Sequence, residues 1–65
     1  MTIGEKINAL RKEKNMTLLE LSKKSGISPA TLTNWKLGKT QPQAVALKKV
    51  ADALGVDFQE LRSFF

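Results

Sequence analysis

Apolar residues recur at helical spacing in the first segment of the chain. Ile3, Ile7 and Leu10 follow one another at intervals of four and three residues, with charged residues between them, which places them on one face of a helix. The same kind of spacing returns further along, at Leu47, Val50, Ala51 and Leu54. No stretch alternates apolar and polar residues for long enough to predict a strand. The pattern therefore predicts an all-α protein.

Capping sequences mark the first two helices. The tetrapeptides at 2–5 and 17–20 each place a threonine three residues before a glutamate, which is a capping box in which hydroxyl and carboxylate each accept a backbone N–H of the first turn. Asn15, which tolerates a left-handed backbone, predicts the end of helix 1 near residue 14. Gly26 predicts that helix 2 ends there, after spanning about residues 18–25.

A third helix follows after a very short connection. Ser28 is a favourable N-cap, and Pro29 occupies the first helical position, where its missing N–H costs nothing. Gly38 marks the end, so this helix is predicted at about residues 29–37. Helices 2 and 3, joined only by residues 26–28, have the spacing of a helix-turn-helix unit that reads DNA.

The remainder of the chain predicts two further helices. Pro42, at or just before the first helical position, opens helix 4, and Gly55 closes it. Asp57 is the N-cap of a short last helix. We expect one domain over residues 1–65, with the helix-turn-helix unit at about 18–37.

Composition argues against catalysis and metal binding. The 65 residues include no His, Cys or Tyr, so the hydroxyl side chains have no imidazole to activate them, and the carboxylates are scattered. We therefore expect no enzyme activity, no metal and no cofactor. The longest unbroken apolar run is four residues, at 44–47, too short for a membrane span or a signal peptide, and we expect a cytoplasmic protein.

The positive charge is concentrated in one part of the chain. The net charge is +5; residues 1–40 hold eight basic and three acidic side chains, whereas residues 41–65 hold three of each. A charge excess confined to one stretch indicates one surface that contacts an anionic partner, which could be nucleic acid, an acidic protein or anionic lipid.

Several short motifs occur in a fixed order along the chain. They lie at 3–7, 10–14, 16–17, 20–21, 24–28, 31–32, 35–39, 42, 51–56 and 60–61. In that order they resemble the phage repressor/Cro (XRE-type) helix-turn-helix family over about residues 3–61. The resemblance implies a compact five-helix, lambda-repressor-like domain that binds double-stranded operator DNA with helix 3 in the major groove.

The resemblance also implies roles for individual residues. Those expected to face base edges are Ser28, Pro29, Ala30, Thr33 and Asn34. Those expected to lie near phosphates are Thr17, Thr31, Lys39 and Thr40. Those expected in the core are Leu21, Ile27, Leu32, Trp35, Leu47, Val50, Leu54 and Leu61.

Three departures from the family pattern bear on DNA binding. Leu18 and Leu37 replace residues that commonly donate hydrogen bonds to phosphates, and we expect both leucines to be exposed at the rim of the interface. Lys36 replaces a glutamate that often pairs with the helix 1 arginine. Because Lys36 and Arg11 carry the same charge, that salt bridge cannot form here.

An alternative function therefore stays open beside the first hypothesis of a transcriptional regulator. On the same scaffold, the chain could be a protein-interaction module, such as an antitoxin-like or adaptor domain, because exposed apolar residues often mark a partner. The residues that favour this are Leu18, Leu19, Leu37, Phe64 and Phe65. We also expect a weak homodimer through an apolar patch of Leu61, Phe64 and Phe65, and no small-molecule ligand.

Overall fold

The computed structural model describes residues 2–63, which form five α-helices. Their bounds are α1 Ile3–Glu13, α2 Leu18–Ser25, α3 Pro29–Leu37, α4 Ala44–Leu54 and α5 Phe58–Arg62. The predicted all-α, five-helix fold class is confirmed. No helix within the described residues has the length and apolar character needed to cross a membrane.

Local hydrogen bonds explain where α1 and α2 begin. The Thr2 hydroxyl accepts from the Glu5 N–H at 3.1 Å, and the Glu5 carboxylate accepts from the Thr2 N–H at 2.9 Å. Thr17 and Glu20 make the same reciprocal pair, with both distances 3.1 Å. Asn15 has a φ of 54°, which confirms its predicted left-handed conformation after α1.

The start of α4 differs from the prediction. The helix begins at Ala44, with Gln43 as its N-cap, whereas Pro42 lies one residue before the cap. Pro42 is buried, and the Gln43 side chain makes no capping hydrogen bond. The beginning of α4 is thus set without the side-chain cap that opens each of the other four helices.

The core is built from residues of all five helices. α1 packs mainly against α3, and α4 packs against α2 and α5. All the predicted core residues are buried except Ile27, which is half-buried against the core. Leu61 is completely buried, so its predicted place in an exposed dimer patch is wrong. Its proposed companions, Phe64 and Phe65, lie outside the described residues.

α1 and α3 come unusually close to each other at Gly4. A Cβ atom added to Gly4 would overlap the backbone nitrogen and Cα of Lys36 and the carbonyl carbon of Trp35, each well inside 3.0 Å. The Thr2 hydroxyl donates to the Lys36 carbonyl at 3.3 Å beside this contact. The missing side chain of Gly4 therefore sets the distance between the two helices.

Candidate nucleic-acid interface

The turn between α2 and α3 is held by a glycine and a buried serine. Gly26 adopts a left-handed φ of 74° and donates its N–H to the Ser22 carbonyl at 2.8 Å. The Ser25 hydroxyl donates to the Leu21 carbonyl at 2.7 Å and accepts from the Ile27 N–H at 3.3 Å. These bonds pair the N–H groups of Gly26 and Ile27 and the last carbonyls of α2, and they hold α2 and α3 together as a helix-turn-helix unit.

A serine and a proline open α3. The Ser28 hydroxyl accepts from the Thr31 N–H at 3.2 Å and lies 2.9 Å from the Thr31 hydroxyl, with which it shares a hydrogen bond. Pro29 is the first helical residue. Because the bond between the two hydroxyls uses only one of their two protons, the pair keeps one O–H that can donate to a ligand.

The residues expected to face bases lie on the solvent side of α3 or at its N-terminus. Ser28, Pro29, Ala30 and Thr33 are exposed, and Asn34 is half-buried. The opposite face carries the buried Leu32 and Trp35, which are 5% and 3% exposed. Positions three or four residues apart share a helix face, so one side of α3 packs on the core while the other side is open to a partner.

The residues expected near phosphates lie at helix ends. Thr17 is the N-cap of α2, and its hydroxyl accepts from the Glu20 N–H at 3.1 Å. Lys39 and Thr40 are exposed just after α3, and the Lys39 N–H donates to the Asn34 carbonyl at 2.9 Å. Thr31 is half-buried in the first turn of α3.

One of the two leucines that depart from the family pattern does not lie where the sequence indicates. Leu18 is half-buried and packs against the core, so the expectation of an exposed position is wrong for it. Leu37 is 60% exposed and Leu19 57% exposed, as expected. Leu18 is partly covered because it begins α2 on the side that faces α1 and α3, where it lines a cavity with Ile7 and Leu32.

That cavity lies between α1, α2 and α3 and has a volume of about 160 Å³. Arg11 and Lys36 both line it. The Arg11 guanidinium donates to the Met16 carbonyl at 2.7 Å and to the Asn8 side-chain oxygen at 2.6 Å. The cavity was not predicted from the sequence. The like charges of Arg11 and Lys36 were the available signal, because they exclude the salt bridge that the family pattern places between these two positions.

The acidic residues of the capping boxes have perturbed ionisation. Hydrogen bonds from the backbone N–H and then the side chain of Thr2 lower the pKa of Glu5. The equivalent bonds from Thr17 lower the pKa of Glu20. Both carboxylates therefore keep their charge to a lower pH than an ordinary glutamate, at the positive ends of their helices, where a negative charge is favourable.

Comparisons with known proteins identify the family. The family model described as helix-turn-helix matches residues 7–61. The chain is 36% identical over 56 residues to the immunity repressor protein of Bacillus phage phi105, covering 86% of this chain and 39% of that protein. It is 34% identical over 61 residues to the HTH-type transcriptional repressor RghR of Bacillus subtilis, covering 92% of this chain and 45% of that protein.

A third relative is an uncharacterized HTH-type transcriptional regulator, y4dJ, of Sinorhizobium fredii, 36% identical over 59 residues that cover 91% of this chain and 77% of that protein. The chain spans less than half the length of the phi105 and RghR proteins. The family match covers most of the chain, and the five helices fit the lambda-repressor-like fold. The chain therefore belongs to the XRE-type helix-turn-helix family.

Proposed function

We propose that this domain binds double-stranded DNA in a sequence-specific manner, with α3 in the major groove, and so regulates transcription. The observation that carries the proposal is the α2–α3 unit, in which one face of α3 is packed on the core and the other is open to solvent. A major groove admits one α-helix. Relatives named as repressors support the same function.

Sequence selectivity would come from few polar groups. The Asn34 amide can pair with adenine through two hydrogen bonds, and the Thr33 hydroxyl can bond to several bases. Pro29 and Ala30 are too short for paired hydrogen bonds, but they offer apolar contact to a thymine methyl group. The hydroxyl proton that the Ser28–Thr31 pair does not use in its own hydrogen bond can donate to a base or a phosphate.

Affinity would come mainly from phosphate contacts. The Lys39 ammonium supplies a full positive charge beside α3, and the hydroxyls of Thr17, Thr31 and Thr40 supply donors at helix ends. Contacts between cations and phosphates release counterions, so binding should weaken steeply as the salt concentration rises. The charge excess in residues 1–40 fits this surface.

We further propose that two copies bind a two-fold symmetric site whose half-sites are one helical turn apart. Because Leu61 is buried, it contributes no surface to the pairing, and dimerisation without DNA should be weak. Sedimentation of the free protein, and of its complex with a palindromic duplex, measures both states. A complex of one protein per palindrome would contradict the proposal.

The protein-interaction alternative depends on exposed apolar residues. Of those that favoured it, Leu19 and Leu37 are exposed and Leu18 is half-buried, while Phe64 and Phe65 lie outside the described residues. Single exposed apolar side chains are common on protein surfaces and require no partner. The repressor names of two relatives favour DNA binding instead. If the domain bound a protein instead of DNA, its affinity would not differ between a selected and a random duplex.

Fluorescence anisotropy with a selected duplex and a random duplex, at two salt concentrations, tests the function. Asn34→Ala should cost about 1–3 kcal/mol on the selected duplex and little on random DNA, because a base contact is lost. Lys39→Ala should weaken binding equally on both duplexes and reduce the salt slope by about one unit. Lys48→Ala is the matched control, since Lys48 is also exposed but lies on α4. Equal losses for Lys48→Ala and Lys39→Ala would contradict a localised phosphate surface.

A further inference from the structure

The cavity between α1, α2 and α3 has an apolar interior. Its apolar lining includes Ile7, Leu18 and Leu32, with the completely buried Leu21 behind them. Its volume of about 160 Å³ is close to that of a leucine-lined cavity of about 150 Å³ that accepts benzene. A ligand body with a six-membered ring or a short hydrocarbon chain therefore fits inside.

Two cations line the same cavity. Arg11 donates to the Met16 carbonyl and the Asn8 amide oxygen, and because both acceptors are neutral, neither cancels its charge. The Arg11 Nε is buried and makes no hydrogen bond within residues 2–63. A buried donor without an acceptor is costly and calls for an explanation. Lys36, on α3, adds a second positive charge at the exposed side.

The Glu5 carboxylate, which interacts with Lys36, is engaged in the capping box of α1. Lys36 is close enough to Glu5 to contribute to its lowered pKa, but the Glu5 side chain accepts from the Thr2 N–H at 2.9 Å in the capping box. Glu5 does not line the cavity, and no acidic residue does among those described. The cavity thus combines two positive charges, with no carboxylate in its own lining, and apolar walls.

We propose that this cavity binds a small amphipathic carboxylate. The hydrocarbon part packs against Leu18 and Leu32, and the carboxylate faces Arg11 and Lys36, with the Thr33 hydroxyl as a further donor at the exposed side. A bare phosphate would leave the apolar walls without a partner, and a neutral hydrocarbon would leave both charges without one. The proposal goes beyond DNA binding and does not rest on it.

Titration with sodium benzoate, followed by two-dimensional ¹H–¹⁵N NMR of the full chain, tests the site. Benzyl alcohol serves as the neutral probe of similar shape, and inorganic phosphate as the anion without a hydrocarbon body. Lys36→Gln removes one cation at an exposed position, whereas Lys48→Gln removes one on α4, outside the cavity. Arg11 is left intact because its bonds to Asn8 and Met16 support the fold. Dispersed amide spectra confirm that each variant is folded.

We expect saturable shifts of amides around the cavity, with a dissociation constant in the range of about 1–10 mM, as is reasonable for so small a ligand. Benzyl alcohol and inorganic phosphate should each bind about tenfold more weakly. Lys36→Gln should weaken benzoate about tenfold and leave benzyl alcohol unchanged, and Lys48→Gln should change neither. The proposal would be overturned if benzoate bound no more tightly than benzyl alcohol, or no more tightly than inorganic phosphate. It would also be overturned if the shifts were spread over the whole basic surface, or if benzoate showed no saturation at about 50 mM.

Discussion

The close approach of α1 and α3 predicts that Gly4→Ala destabilises the protein, although alanine is the better helix former. In an unconstrained helix the substitution would stabilise by about 0.5–1 kcal/mol. Here the new Cβ would overlap backbone atoms of Trp35 and Lys36, which cannot move aside as a flexible side chain could. α1 would have to shift by on the order of 1 Å, and tightly packed interiors resist such shifts.

Overpacking of this kind costs about 1–3 kcal/mol, and we take the upper end because the obstacles are backbone atoms. After the gain in helix propensity is subtracted, a net loss of about 2 kcal/mol remains. For a domain of this size, that loss lowers Tm by about 8–16 °C. Thermal and urea unfolding, followed by circular dichroism and by the fluorescence of Trp35, the single tryptophan, measure it.

The exposed Ala9 in the middle of α1 provides a control. Ala9→Gly should cost about 1 kcal/mol through helix propensity alone, which calibrates the backbone effect in the same helix. If Gly4→Ala proved as stable as the unaltered chain, or more stable, α1 and α3 would have room for a Cβ atom at this contact, which would contradict the predicted overlap.

Two further predictions concern the leucines and the acidic caps. Leu37→Asn, at an exposed position, should change stability by no more than about 0.5 kcal/mol while tightening binding to DNA. Leu18→Gln, at a half-buried position, should cost about 1–3 kcal/mol of stability. Urea unfolding and duplex affinity are measured on each single variant. A larger stability loss for Leu37→Asn than for Leu18→Gln would contradict the assignment of Leu18 as half-buried and Leu37 as exposed. Because hydrogen bonds from Thr17 hold the pKa of Glu20 below its ordinary 4.5, its stabilising contribution is complete above that pH and disappears as the pH falls through the lowered value. Tm should therefore fall in acid, and less steeply for Glu20→Gln; identical Tm profiles against pH would show that this cap adds nothing.

Local chemistry explains why most of the fold could be predicted from the sequence. Thr2, Thr17 and Ser28 start helices through hydrogen bonds that span three residues, and Gly26 and Gly38 end them with a left-handed backbone. Such signals are complete within a few neighbouring positions, so no knowledge of the tertiary structure is needed. α4 has no side-chain cap, and its start at Ala44 lies later in the chain than the start predicted from Pro42.

The features that escaped prediction depend on contacts between distant segments. The burial of Leu18 and the cavity beside it require the spacing of α1 and α3, which is set where Gly4 meets residues 35 and 36. The assignment of individual residues to bases and phosphates stays a prediction, since it depends on how the domain docks on DNA.

The two faces of α3 differ in what a substitution there would cost. Leu32 and Trp35 hold the helix on the core, while Ala30 and Thr33 are exposed and can change with stability effects within about 0.5 kcal/mol. Mutations that alter the exposed surface of this helix therefore need no compensating change in the interior. Single substitutions on the exposed face of α3 can therefore change what this helix contacts, while each variant keeps the same folded core.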